Sequence, residues 1–264
     1  MSTDYLQKNK QSWNNKVQYH LQSEFYAVDN FIKGKSSLNQ IELALLGDVK
    51  NKSVLHLQCH FGQDTLSLAR MGANATGIDL SDKAIDEANK LSKKINTPAQ
   101  FICSDVYDLP SQLKQTFDIV FTSYGTIGWL PDLSKWAQVI SHFLKPGGKF
   151  VFAEFHPVVW MFDNDFKEVG YNYFNTGPIV ETETGTYADT SAPITQEYVG
   201  WNHGIAEVIN CLTQAGLQIT QMHEFDYSPY NCFKHSEEFE KGKYRITHLQ
   251  NKIPMVYSLA AIKK

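Results

Sequence analysis

Four side chains in this chain stand directly after short apolar runs: Gln58 and His60 after residues 54–57, Asp79 at the end of 75–79, and Asp105 just beyond 99–102. Polar groups at the ends of successive buried strands are what a nucleotide-like cofactor requires when it lies across the C-terminal edge of a parallel sheet. Such a ligand needs close backbone approach, an acid for its ribose hydroxyls and a polar contact for its base. The loop 58–62 opens a helix with Gly62 at its entry, and N–H groups at a helix N-terminus face a carboxylate or phosphate. Asp79 is an acceptor for the hydroxyls and Asp105 an acceptor for an exocyclic amine. Each has a plainer alternative: Asp79 as the acid before a helix cap at Ser81, Asp105 as a turn residue, Gly62 as turn geometry. Their order at successive strand ends favours the joint reading.

The elements that must position these residues follow from hydrophobic periodicity. Residues 5–25 carry Leu6, Trp13, Val17 and Leu21 at helical spacing, and the aromatic residues Tyr5, Trp13, Tyr19 and Tyr26 either pack this extension on the main domain or roof a ligand site. A second helix has Leu38, Ile41, Leu45 and Leu46 on one face, Ser36 or Ser37 as cap and Gly47 as stop. Strands at 54–57, 75–79, 99–102, 117–121 and 149–154 then alternate with helices at 63–71, after Ser81, and at 132–144, the last stopped by Lys145, Pro146, Gly147 and Gly148. This alternation predicts a doubly wound α/β fold with a mostly parallel sheet and right-handed crossovers. Residues 155–200 break the pattern, and their alternating runs at 179–186 and 194–201 predict a β-hairpin insertion after strand five. A helix at 204–215 and strands at 217–225 and 255–262 complete a seven-stranded sheet. The expected organisation is an N-terminal helical cap (1–50), a cofactor-binding α/β core (51–155), an insertion facing substrate (156–203) and the C-terminal part of the core (204–264).

Composition narrows the function classes. A net charge of −4 gives no support to binding a nucleic-acid backbone, and no apolar run is long enough for a transmembrane helix. Residues 1–10 lack an apolar segment followed by small residues, so no secretory signal is expected. Cys59, Cys103, Cys211 and Cys232 show neither a pairing pattern nor zinc-knuckle spacing, and no His has partners at metal-ligand spacing. A cytoplasmic protein without a metal, a nucleic-acid partner or a membrane partner is expected.

Residues 52–154 resemble the class I S-adenosylmethionine-dependent methyltransferases. The likeness rests on the string from Val54 through His56, Gln58, Cys59, His60 and Gly62, on Gly77, Asp79 and Ser81, on Ser104, Asp105 and Val106, on Asp118 in the fourth strand, and on Lys145, Pro146, Gly147 and Gly148. The resemblance implies a Rossmann-like fold, S-adenosylmethionine as cofactor and a small-molecule acceptor. It places the methionine part at Gln58, His60 and Gly62, ribose at Asp79 beside Leu80, adenine at Asp105 and Val106, and the sulfonium side at Ser123 and Tyr124. Two departures stand out. His56 occupies the place of a strand-end acid, and Gln58 and His60 occupy places usually held by glycine, a variant that itself resembles a bacterial methyltransferase-like subgroup. A nicotinamide-binding Rossmann domain is the nearest rival, but of its glycine signature only Gly62 is present.

Methyl transfer from a sulfonium is an in-line displacement, so the protein mainly aligns the reactants and removes an acceptor proton when one must leave. Tyr124, His156 and His203 are the catalytic candidates, with Trp129 and Glu154 also near the expected site. His156 reads either as a general base or as a positioning residue, and His203 either as catalytic or as a cap. A non-catalytic S-adenosylmethionine-binding or regulatory protein is the alternative function.

Overall fold

The computed structural model describes residues 4–264, so the first three residues of the expected 1–50 cap lie outside the described residues. The chain opens with α1 (Asp4–Gln22), α2 (Val28–Ile32) and α3 (Gln40–Leu46). The buried stripe of α1 is Asn9, Ser12, Lys16, Val17 and His20, four polar residues and one apolar, at three- and four-residue spacing. A helix that turns a polar stripe inward covers something polar. The cap of α3 is Asn39 and not Ser36 or Ser37: the Glu42 side chain, three residues on, accepts from the Asn39 N–H.

The α/β core follows as β1 (Ser53–Leu57), α4 (Gln63–Arg70), β2 (Asn74–Asp79), α5 (Asp82–Lys94), β3 (Gln100–Cys103), α6 (Leu109–Gln112), β4 (Phe117–Ser123), α7 (Leu133–Phe143) and β5 (Leu144–Phe155). Then come β6 (Ile179–Thr184), β7 (Thr195–Gly200), α8 (Ile205–Gln214), β8 (Leu217–Phe225), β9 (Ser236–Glu240), β10 (Lys243–Ile246) and β11 (Val256–Lys263). Seven strands form one sheet in the order β3-β2-β1-β4-β5-β11-β8. The first five are parallel, and β11 runs antiparallel to both neighbours. The order reverses between β1 and β4, which opens a crevice beyond their C-terminal ends. One face of the sheet is sealed by Trp136, Phe143, Phe150 and Phe152 with α7 and α8, the other by Val54, Leu68, Phe121 and Val151 with α3 and α4. Each such fully buried side chain contributes about 1.5–3 kcal/mol.

Two local expectations are corrected. Lys145 to Gly148 do not lie between helix and strand; they form an irregularity inside β5, where the pairing jumps from Phe117↔Leu144 to Ile119↔Lys149. Lys145 Nζ meets Asp118 Oδ1 at 2.7 Å, and Asp118 Oδ2 accepts from the Ser53 N–H and hydroxyl, so this stretch ties β1, β4 and β5 together at the edge opposite the crevice. Between β8 and β11 the chain also makes a second hairpin, β9–β10, whose charged strands, the first of them exposed, lack an alternating apolar pattern.

The β6–β7 hairpin is present, and it docks on α1. Asn9 Nδ2 donates to the Val199 carbonyl at 2.8 Å while Asn9 Oδ1 accepts from the Val199 N–H at 2.9 Å. Lys16 Nζ, buried, pairs with Glu183 at 2.8 Å. Among the described residues no helix is long and apolar enough to cross a membrane.

Candidate active site

The loop from β1 to α4 keeps a glycine-like path with side chains on it. Gln58, His60 and Gly62 have φ of 55°, 50° and 80°. The left-handed region costs a side-chain-bearing residue roughly 1–2 kcal/mol. Cys59 N–H bonds Ile78 O at 2.8 Å and Gly62 N–H bonds Cys59 O at 2.9 Å, which closes the turn. Gly62 has no substitute, because a Cβ there would stand 2.6 Å from the Phe101 ring.

Asp79 is held from both sides. Its Oδ2 accepts from the His60 N–H and its Oδ1 from the Ser81 N–H, each at 2.8 Å. Burial pushes its carboxyl up to about 6 against the pull of these bonds. Each oxygen keeps a second lone pair, so the group can still accept from hydroxyls. Leu80 flanks it, half-buried, and Ser81 caps α5 by accepting from Ala84 N–H at 3.0 Å. At the end of β3, burial also raises Asp105, whose Oδ1 accepts from Tyr107 N–H at 3.3 Å, while Val106 is buried in the main core.

The far wall of the crevice is the end of β4. Ser123 Oγ donates to Asp64 Oδ2 at 3.2 Å, and Tyr124, itself left-handed at φ 37°, donates its hydroxyl to Glu42 Oε2 at 2.7 Å. Burial and then Asp64 push Glu42 up to about 7. Gln58 Nε2 donates to Thr126 O at 2.8 Å, joining the β1 loop to the β4 loop. Glu154, at the end of β5, accepts from the N–H groups of Gly125, Thr126, Ile127 and Phe155 and from the Thr126 hydroxyl. With its lone pairs taken up by the loop, Glu154 shapes the crevice wall.

Helix α1 roofs the crevice through Trp13, Asn14 and His20. Trp13 packs edge-on at 5.2 Å from both His60 and Trp129, and Asn14 Oδ1 accepts from Ser81 Oγ at 2.6 Å. His20 Nδ1 lies 2.9 Å from His60 Nε2. Tyr5, at the other end of α1, is pushed up to about 12 by burial and then by Asp105 and Asp108. His20, Glu42 and Asp64 join the site without a motif in the sequence to mark them. A polar stripe at helical spacing in residues 9–20 is the signal that was available for His20.

His156 and His203 lie outside this cluster with both ring nitrogens engaged. His156 Nε2 pairs with Glu224 at 2.9 Å and its Nδ1 accepts from Val158 N–H. His203 Nε2 donates to Leu130 O at 2.8 Å and its Nδ1 faces Glu207 at 3.1 Å. Tyr124 alone of the three catalytic candidates faces the crevice residues.

Residues 54–148 match the methyltransferase domain family. This span contains β1 to the start of β5, with Gln58, Asp79, Asp105 and Ser123 at the strand ends just described. Over these residues the chain is similar to a methyltransferase domain. An uncharacterized methyltransferase of Synechocystis sp. is 34% identical over 134 residues, covering 50% of this chain and 60% of that protein. The ubiquinone biosynthesis O-methyltransferase of Chromobacterium violaceum is 29% identical over 50% of this chain and 58% of its own length. The chain thus spans about 60% of the length of these curated relatives. Among solved structures, an S-adenosylmethionine-dependent methyltransferase from Mesorhizobium loti superposes with a TM-score of 0.60 at 18% identity, covering 88% of this chain and 100% of that one. The methyltransferase fold therefore extends well beyond the matched domain, to the antiparallel strands that close the sheet.

Proposed function

We propose that this protein transfers a methyl group from S-adenosylmethionine to a small-molecule acceptor. The carrying observation is Asp79, fixed by two backbone N–H groups at the end of β2 and facing the crevice between β1 and β4 within a methyltransferase domain. The residues present fit the cofactor: buried polar atoms without partners, Gln58 Oε1 and His60 Nδ1, stand on the loop expected to hold its methionine part. Asp79 beside Leu80 would hold the ribose, Asp105 and Val106 the adenine side, and Ser123 and Tyr124 the sulfonium side. The cofactor supplies an electrophilic methyl group. Tyr124 and Glu42 supply a proton path at the β4 end, and α1 excludes water.

In this reading residues 1–50 are the cap, 51–155 and 204–264 the catalytic core, and 156–203 the acceptor-facing insertion. Four free cysteines, two of them buried, suit the reducing cytoplasm. Titration calorimetry of the full chain with S-adenosylmethionine and S-adenosylhomocysteine tests the premise, and absence of binding at millimolar ligand overturns it. A screen of metabolite extracts for transfer of a labelled methyl group then identifies the acceptor.

A further inference from the structure

One side of the crevice is walled by aromatic rings that run on from one to the next. Tyr124 packs edge-on against Tyr230 at 5.1 Å, Tyr230 stacks on Phe25 at 5.5 Å, and Phe25 meets Tyr187 edge-on at 5.4 Å. The hydroxyls of Tyr187 and Tyr26 share a hydrogen bond, which completes the row. These residues come from the β4 end, the β8–β9 connection, the link between α1 and α2, and the β6–β7 turn. All five are half-buried, so packing within the chain does not use up their surfaces.

Two carboxylates stand in the same place. Asp64 Oδ2 accepts from Ser123 Oγ at 3.2 Å, and Gln63, the residue before Asp64, donates from Nε2 to the Tyr26 carbonyl at 3.0 Å. Glu42 Oε2 accepts from the Tyr124 hydroxyl at 2.7 Å, and Asn39, one helical turn earlier, donates from Nδ2 to the Tyr230 hydroxyl at 2.7 Å. Burial comes first in raising Tyr26, Tyr124, Tyr230 and Glu42, and the charge of Asp64 adds to it in all four, so these groups surround Asp64.

Nothing in the chain neutralises this cluster. Among the described residues neither Asp64 nor Glu42 has an ion-pair partner. His56, whose Nδ1 lies 2.9 Å from Oγ1 of Thr65, the neighbour of Asp64, is no cation either: burial lowers it to about 4 against the pull of Asp64. Its Nε2 is buried without a partner. Buried carboxylates are paired as a rule, and aromatic rings turn a negative face to a cation. Two carboxylates and a row of rings without a cation make half of a recognition site, and the other half is positive. An anionic acceptor would be repelled.

We infer that the methyl acceptor is an amine, held as its ammonium by Asp64 and Glu42 against the rings of Tyr124 and Tyr230. The inference rests on the proposed cofactor and adds the chemical class of the acceptor. The ammonium passes one proton to the Tyr124 oxygen as the Tyr124 hydroxyl proton passes to Glu42 Oε2. Transfer forms the N–C bond from the freed nitrogen lone pair and breaks the C–S bond, whose electrons stay on sulfur. The product leaves as a methylated ammonium, and Glu42 returns its proton to water.

The test uses the full-length protein saturated with S-adenosylhomocysteine and three probes of like size: 2-phenylethylamine, 2-phenylethanol and 3-phenylpropionate. Titrations followed by saturation-transfer NMR should show the amine binding at least about tenfold more tightly than the alcohol or the acid. Asp64→Asn should weaken the amine about tenfold while S-adenosylhomocysteine, read by calorimetry, stays within about twofold. Tyr230→Leu should weaken the amine, and Tyr230→Phe, which keeps the ring, should hold it within about twofold; Asp64→Asn carries the test if Tyr230→Leu does not fold. Equal binding of the three probes, or no binding of the amine at about 20 mM, overturns the inference and leaves the methyltransferase reading standing. A loss in Asp64→Asn as large for S-adenosylhomocysteine as for the amine assigns this carboxylate to the cofactor and also overturns it. A folded wild-type protein that does not bind S-adenosylhomocysteine removes the cofactor reading and this inference together.

Discussion

The Tyr124 hydroxyl donates to Glu42 Oε2 across 2.7 Å, joining the end of the fourth parallel strand to the first turn of a helix that precedes the sheet. Glu42 is fully buried and Tyr124 half-buried, and Glu42 has no cationic partner among the described residues. A carboxyl in that situation takes up a proton more readily than it would in water.

Glu42 therefore makes stability depend on pH. Its folded value, raised from 4.5 to about 7, lies above the unfolded one. Its contribution is fully present below pH 4.5 and is lost as pH rises through about 7. Glu42→Gln keeps an acceptor for Tyr124 and removes the titration. Denaturant melts of the two proteins should diverge between pH 5 and 8, with the wild type losing up to about 3 kcal/mol relative to the variant. Parallel profiles would show that Glu42 is as easily ionised as a surface carboxylate.

Asp79 should govern cofactor affinity. Asp79→Ala is expected to weaken S-adenosylhomocysteine by about 1–3 kcal/mol through loss of charge-assisted bonds. Its carboxyl, pushed up to about 6, is protonated below that pH, and a neutral acid accepts less well from hydroxyls. Wild-type affinity should thus fall as pH drops through about 6, and Asp79→Asn should flatten the profile. Calorimetry at several pH values reads both effects.

Gly62→Ala should destabilise the fold along with the site. The added methyl group meets the Phe101 ring at 2.6 Å, and φ of 80° strains any side chain. A loss of about 1–3 kcal/mol in thermal or chemical denaturation is expected. Gly147→Ala, where φ is 74° but nothing lies within 4 Å of the added Cβ, should cost only the conformational part.

Lys16→Met should loosen the insertion from the N-terminal helix. Lys16 is 3% exposed in its pair with Glu183 and lies 5.2 Å from the Trp13 ring. Its removal leaves a carboxylate 27% exposed and unpaired, at a cost of about 1–3 kcal/mol after allowance for that exposure. Hydrogen exchange should quicken first in residues 195–200, and adding Glu183→Gln should restore most of the protection.

The α/β core was legible because its strands are short apolar runs separated by helices of matching length, and Ser81 and Gly62 mark helix entries by simple chemistry. The roof of the site is harder to read. Helix α1 was assigned an apolar face through Leu6, Trp13, Val17 and Leu21, yet the face it buries contains Asn9, Ser12, Lys16 and His20. Periodicity reports where apolar residues recur, and a helix that buries polar side chains against a hairpin strand and a cofactor loop inverts that signal. Lys145 to Gly148 carry part of the family resemblance while lying at the strand beginnings, where Lys145 is tied to Asp118 and Asp118 to Ser53. Glu154 looked like a candidate for the reaction because nothing in a sequence shows that five donors converge on it. The β9–β10 hairpin carries no period-two apolar signal, because β9 is acidic and largely exposed and β10 buries only Ile246.

The roof formed by α1 bears on timing. It touches the β1 loop through Trp13 and His20, the β2 end through Asn14 and the β4 loop through Trp129, and the paired bonds of Asn9 to Val199 fasten it to the hairpin. A ligand bound beneath it can arrive or leave only when those contacts part. Stopped-flow traces at rising ligand concentration would then level off at a fixed rate, the rate at which the helix lifts, and exchange would run on a clock set by the chain instead of by diffusion.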